Sequence, residues 1–338
     1  MNLQRFFSPS RSLMFGYLLL AILIATLTVF APLPRVATDA PPPRSDDLLV
    51  TASIKAEEPQ CDPTRSLAGR EIIIDPAGGP RFGQTQFHDS LPLNDKEVVL
   101  TFDDGPHPTR TRAILDALDQ YCVKAVFFAV GEMAMEHPEV LRDVARRGHL
   151  IGTHTYSHPF SLPRLSKTAQ DMEIQGGFAA VAHVLSGPVA PLFRFPGLAY
   201  NQALLDDLAS RNISVWSVDL ISNDSWFSAH HLTERLFARL ARQPKGIVLM
   251  HDLKKATADS LPTILQRLKE QGYTVPRVRI APTFTPDEQL LATLQEAKPR
   301  WRSVIRHASQ RFGSARVATQ SPGRLQHAHP DAPGPQEQ

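Results

Sequence analysis

The chain has 338 residues, 42% hydrophobic and 21% charged, with a formal net charge of +2. This is the composition of a globular protein, which excludes a wholly disordered chain or a bundle of membrane helices. Without lysine and arginine clustered on one element, the near-balance of charge also argues against a nucleic-acid partner.

Arg5 and Arg11 precede an uncharged apolar run over 13–31. The run has about the length of a bilayer-spanning helix, roughly 17–25 residues, and exceeds the roughly 7–15-residue core of a cleaved signal. Val29 and Ala31 suit a cleavage site, but Pro32 follows them. The expectation is an uncleaved signal anchor over 13–31 with residues 1–12 as a cytoplasmic stub. The body would then stand in the periplasm, tethered to the inner membrane, or be secreted if the anchor is cut. Residues 32–60, with Ala40-Pro-Pro-Pro-Arg44, read as a Pro-rich linker. Cys61 and Cys122 are the two cysteines. An oxidising compartment would allow one disulfide between them; two separate buried thiols are the alternative.

From 61 to 281, short apolar runs alternate with helical patterns. Strands are predicted at 98–102, 125–130, 150–152, 192–195, 214–218, 247–250 and 273–278, with helices at 109–121, 138–147, 167–185, 201–211, 231–242 and 258–271. Strands joined by helices of this length run parallel, through right-handed crossovers. A doubly wound sheet and a (β/α) barrel both fit, and in either the chemistry belongs at the carboxyl ends of the strands. Residues 282–338 read as a helix from 287 to about 307, then a disordered tail.

The polar residues of interest fall where that rule puts them. Asp103 and Asp104 end the first strand before Gly105-Pro106. Neighbours on a strand face opposite ways and close carboxylates repel, so using both in one place takes a kink and a cation. His154 and His158 follow the third strand, Arg194 closes the fourth, Asp219 and Asp224 follow the fifth, and His251 the sixth. Two histidines four apart share a face of a helical turn, and with the Asp104 carboxylate they make a ligand set for a divalent metal. Asp103 is then available as a base held by Arg194, and His251 as a proton donor.

The ordered motifs TFDDGP (Thr101–Pro106), HTYSHP (His154–Pro159), RFPG (Arg194–Gly197), the Asp219–Trp226 segment and LMH (Leu249–His251) resemble those of the polysaccharide deacetylases of the NodB-homology type, carbohydrate esterase family 4. The resemblance covers roughly residues 95–280. It implies a distorted (β/α) barrel of about seven parallel strands and metal-dependent removal of acetyl groups from N-acetylated sugars. By motif, Asp103 takes the place of the catalytic base, and Asp104, His154 and His158 those of the metal ligands, usually to zinc. Arg194 matches the arginine that positions the base, His251 the general acid, and a backbone N–H near Gly197 the oxyanion donor.

Two departures leave roles open. No aromatic follows Pro196, and a residue separates Asp224 from Trp226. Either Asp219 or Asp224 could therefore tune His251, with Asp224 preferred. Trp226 is expected to offer its face to a sugar, with a core tryptophan as the alternative. The implied substrate is an N-acetylglucosamine-containing glycan: peptidoglycan, poly-N-acetylglucosamine or chitooligosaccharide. A catalytically silent glycan-binding module, or a hydrolase of small non-sugar amides, would keep the same fold.

Overall fold

The computed structural model describes residues 62–287 together with 289, 290, 292 and 293. The predicted anchor, the linker, Cys61 and nearly all of the C-terminal helix and tail lie outside these residues. Among the described residues no helix is long and apolar enough to cross a membrane. Cys122 is disulfide-bonded.

The strands are β1 (Ala68–Ile74), β2 (Arg81–Phe82), β3 (Val98–Asp103), β4 (Val126–Ala129), β5 (Leu150–Thr153), β6 (Leu192–Phe193), β7 (Ser214–Trp216), β8 (Leu220–Ile221), β9 (Gly246–His251) and β10 (Val275–Ile280). The helices are α1 (Arg110–Gln120), α2 (Gly131–Glu136), α3 (Pro138–Arg146), α4 (Lys167–Leu185), α5 (Gln202–Ser210), α6 (Ala229–Leu240) and α7 (Lys255–Glu270). Two of them begin at good capping residues. The Ser166 and Asn201 side chains accept from the backbone N–H groups of Ala169 and Leu204, and so cap α4 and α5.

Eight strands form one sheet in the order β2-β7-β6-β5-β4-β3-β9-β8, paired in parallel throughout. Its two sides are joined by a single run of chain. Ser214–Trp216 pairs with β6 and β2, and a short step later Leu220 and Ile221 pair with Val248 and Leu249 of β9. Asp219 fixes that crossing, because its carboxylate accepts from the backbone N–H of Gln84 and of Ile247, both at 2.7 Å. The sheet thus curls round on itself as a distorted barrel. With β7 and β8 taken as one kinked strand it has the seven strands expected.

The strand predicted at 273–278 forms over Val275–Ile280 as β10, but its place is a correction: β10 stands outside the barrel sheet and pairs in parallel with β1, a strand that hydrophobic patterning passes over. Most of β1 faces solvent, so it lacks the apolar run that marks the others.

Period-two alternation places the site. Along β3, Val98, Leu100 and Phe102 pack outward with Ile114, Leu115 and Leu118 of α1. Val99 points inward to Val126, Phe128, Leu192, Trp216 and Ile247, above a floor made by Ile72 and Ile74 of β1 and Val278 and Ile280 of β10. Thr101 and Asp103 share the inward parity of Val99, so the barrel interior turns from apolar to polar as β3 reaches its carboxyl end.

Candidate active site

Asp103 ends β3 inside the barrel, in register with His251 at the end of β9. Its Oδ1 accepts from Nη1 of Arg194 at 2.7 Å. Arg194 follows β6 and is completely buried. Its Nη1 also donates to Thr101 Oγ1 at 2.7 Å, while Nε and Nη2 donate to the carbonyls of Trp216 and Ser217 at 3.2 and 3.1 Å. The guanidinium lies over the Phe128 ring, 4.1 Å from its centroid. Every face of the arginine is thus engaged, and Asp103 is held by a rigid cation rather than by a mobile surface residue.

Asp104 should face away from Asp103, and the backbone reverses this. Asp104 has φ +80°, and Gly105 continues into a turn where no side chain fits. A Cβ on Gly105 would lie 1.9 Å from a carboxylate oxygen of Asp252. That buried aspartate also accepts from Thr111 Oγ1 at 2.7 Å. Burial, with the charges of Asp104 and Asp103, pushes the Asp252 carboxyl up to about 7. Asp252 is the packing partner of the turn that brings both carboxylates into one place.

The two histidines meet by a different route from the one their spacing suggests. Residues 154–158 form an irregular loop, not a helical turn, and Thr155 and His158 sit in the left-handed region at φ +67° and +59°. Such residues cost on the order of 1–3 kcal/mol each unless their surroundings hold them. Glu173 of α4, itself buried, supplies part of that hold by accepting from Tyr156 N, Ser157 N and Ser157 Oγ at 3.2, 2.9 and 2.6 Å. Thr155 Oγ1 accepts from the N–H of His158 at 3.0 Å. The two imidazole rings end 4.8 Å apart.

Ligand atoms of Asp104, His154 and His158 all lie within 4.8 Å of one another, a group that could hold a metal ion. The chemistry of the donors fits one. His154 Nδ1 lies 2.7 Å from the Arg194 carbonyl oxygen, which only accepts, so Nδ1 carries the proton. Burial lowers this histidine to about 4, against the pull of Asp103 and Asp104, and it is neutral at pH 7. Its Nε2 lone pair therefore faces Asp104 Oδ1 at 3.6 Å and Asp103 Oδ2 at 3.8 Å. Asp104 Oδ1 is buried and takes no hydrogen bond, although His158 Nε2 is 3.1 Å away. Burial alone would raise the Asp104 carboxyl, but the nearby His158 and the positive charges that His154, His158 and His251 carry when protonated outweigh it and hold it below the usual carboxylate range. Electron-rich atoms gathered this closely call for a cation among them.

His251 settles the choice between the two later aspartates. Its Nδ1 is 2.7 Å from Asp224 Oδ1, and its backbone N–H donates to Asp224 Oδ2 at 2.6 Å. Thr257 Oγ1 donates to the same Oδ2, also at 2.6 Å. Asp219 belongs to the barrel crossing instead. Burial disfavours the His251 imidazolium, but Asp224 first, then Asp103 and Asp104, more than compensate and raise it to about 9. A raised value keeps His251 protonated through neutral pH, and the proton is lost as pH climbs through about 9. Asp224→Asn removes the largest raising contribution while burial remains. The alkaline limb of the kcat/KM profile should therefore move down by at least about one pH unit, since even one unit corresponds to a loss of only about 1.4 kcal/mol of ion pairing. An alkaline limb unmoved in that variant would remove Asp224 from this role.

The remaining predicted residues flank this row. Gly197 lies in a short turn after Arg194 at φ +58°, and the Phe160 ring occupies the space its side chain would need. Trp226 is no core residue: it is 85% exposed, just beyond Asp224 in the chain. Glu173, Asp252 and Thr257 lie outside the motifs and Thr101 opens one without an assigned role, and each reaches the site through a contact with residues elsewhere in the chain.

A family model described as polysaccharide deacetylase matches residues 90–216. A peptidoglycan-N-acetylglucosamine deacetylase of Listeria monocytogenes is 32% identical over 53% of this chain, which spans only 37% of that relative's length. A chitooligosaccharide deacetylase of Rhizobium leguminosarum bv. trifolii is 30% identical over 55% of this chain and 92% of its own. Among solved structures, a Bdellovibrio bacteriovorus peptidoglycan deacetylase is 34% identical with a TM-score of 0.57, covering 63% of this chain and 59% of that one. The matched segment carries the Asp103–Asp104 pair, both histidines and Arg194, and a relative is matched over nearly its whole length. The chain belongs to the polysaccharide deacetylase family.

Proposed function

We propose that this protein is a metal-dependent N-deacetylase of N-acetylglucosamine-containing glycans. The observation that carries the reading is the order of groups on one rim: a carboxylate locked to a buried arginine, a cation-binding triad beside it, and an imidazolium–carboxylate pair in register with the first carboxylate. Amide hydrolysis needs those three functions, namely a base, charge stabilisation at the carbonyl and an acid for the amine.

Asp104, His154 and His158 would hold the metal, and two imidazole nitrogens with one carboxylate oxygen favour zinc, leaving positions open for substrate. Bound there, the ion supplies Lewis acidity, which acidifies water and polarises a carbonyl oxygen. Asp103, fixed through Oδ1, uses its Oδ2 side to take the proton from the attacking water. The N–H of Gly197 would donate to the developing oxyanion. His251 delivers its proton to the departing sugar nitrogen, and Asp224 keeps the ring oriented and charged for that step.

Peptidoglycan and chitooligosaccharides are the glycans that the relatives' names point to. The apolar run at 13–31 behind Arg5 and Arg11 supports an extracytoplasmic body tethered to the inner membrane, where peptidoglycan lies within reach. The decisive assay is acetate release from purified peptidoglycan and from N-acetylglucosamine oligomers, before and after a chelator and after zinc is restored. Chelation should abolish release and zinc should return it. Release untouched by the chelator would refute the metal-dependent reading.

A further inference from the structure

Phe160 follows the HTYSHP motif and is absorbed by none of the roles above. Its side chain is 67% exposed, one of three exposed large hydrophobic residues among the described residues, and Trp226 is another. A phenylalanine has no polar tip to satisfy in water, so such exposure is unfavourable in proportion to its apolar area. Single exposed apolar residues are common and need no explanation. This one is held against two residues of the site: the ring meets the His158 imidazole edge-on, at 4.8 Å and 90°, and lies where a Gly197 side chain would be, with Cδ1 2.8 Å from that position. It is fixed from behind and open in front.

Strand order puts the two exposed aromatics on opposite sides of the reacting groups. Phe160 stands on the loop after β5, Asp103 ends β3, and Trp226 stands on the loop after β8, with β9 and His251 between. On the side of the sheet that carries Asp103 and His251, β4, β3 and β9 lie between β5 and β8, so the reacting groups stand between the two loops.

We propose that Phe160 is a sugar-stacking subsite for the pyranose that neighbours the reacting one, on the metal-ligand side of the site and away from Trp226. A pyranose presents an apolar C–H face to such a ring while its hydroxyls stay in water. The site would then grip a run of consecutive sugars, and chain length would enter its specificity through this residue. The inference rests on the glycan reading above and adds to it a position and a length dependence.

The test uses the full-length, metal-loaded protein and its Phe160→Ala and Phe160→Trp variants. Binding of the N-acetylglucosamine tetramer is measured by calorimetry, alongside KM and kcat on the monomer and the tetramer. Phe160→Ala should weaken tetramer binding and raise tetramer KM by about five- to tenfold. Its metal content should stay at the wild-type value, and any change in its monomer kinetics should be clearly smaller than the loss on the tetramer. Phe160→Trp should restore tetramer affinity. Equal tetramer affinity in wild type and Phe160→Ala would overturn the proposal, as would equal losses on monomer and tetramer. Tetramer binding that depends on Phe160 without any turnover would sink the deacetylase reading and leave the subsite standing; a wild type that neither binds nor turns over the tetramer would sink both.

Discussion

Asp103→Asn is expected to lower kcat for acetate release by roughly 10²–10⁴-fold, the usual contribution of a positioned general base, with metal content unchanged. An amide matches the carboxylate in shape but cannot take the proton from water. Asp104, His154 and His158 are left in place by the exchange, so the cation site should load normally. The variant also leaves the buried Arg194 guanidinium without its counter-charge, so turnover has to be measured under conditions where the protein is shown to be folded. Wild-type kcat in folded, metal-loaded Asp103→Asn would assign the base to another residue.

The second large effect is on stability. Arg194→Met should cost about 3–5 kcal/mol, the range for removing one partner of a buried ion pair. The Asp103 carboxylate would remain buried without its cation, and the Trp216 and Ser217 carbonyls would lose their donor. Typical total stabilities are only about 5–15 kcal/mol, so the variant should unfold at a markedly lower urea midpoint. Pairing it with Asp103→Asn separates packing from electrostatics. With both charges gone no unpaired ion remains, and the double variant should be more stable than the sum of the two losses predicts. Strict additivity in urea unfolding would mean that the pair is not coupled. Recovered stability should bring no recovery of turnover.

Much of this site can be read from residue order alone. The strand ends of β3, β5, β6 and β9 announce themselves through buried apolar runs, and the polar residues just beyond them are the ones that meet. Their geometry is less legible. His-x-x-x-His suggests a helical turn, whereas left-handed residues at 155 and 158 bring the rings together, a conformation that nothing in residue type demands. Asp219 and Asp224 are not separable by sequence because both follow the same predicted strand and precede His251. Only the barrel crossing shows that Asp219 is committed to the Gln84 and Ile247 amides. Glu173, Asp252, Thr101 and Thr257 act through partners far away in sequence, and a lone acidic or hydroxyl residue in a helix or strand carries no mark of such a contact. The strands β1, β2 and β8 escape patterning for a simpler reason: they are short or largely exposed.

The floor of the barrel bears on where this protein can be cut. The family match runs from 90 to 216, yet β1 and β10, which close the interior beneath the charged layer, lie before and after it. A fragment trimmed to the matched segment would lose the strands that seal the apolar interior, together with β9, His251 and the far side of the barrel. The stretch by which kinship is detected is thus smaller than the stretch that must fold cooperatively. Residues as remote from the chemistry as Ile72 and Ile280 set the outer limits of any autonomous catalytic unit.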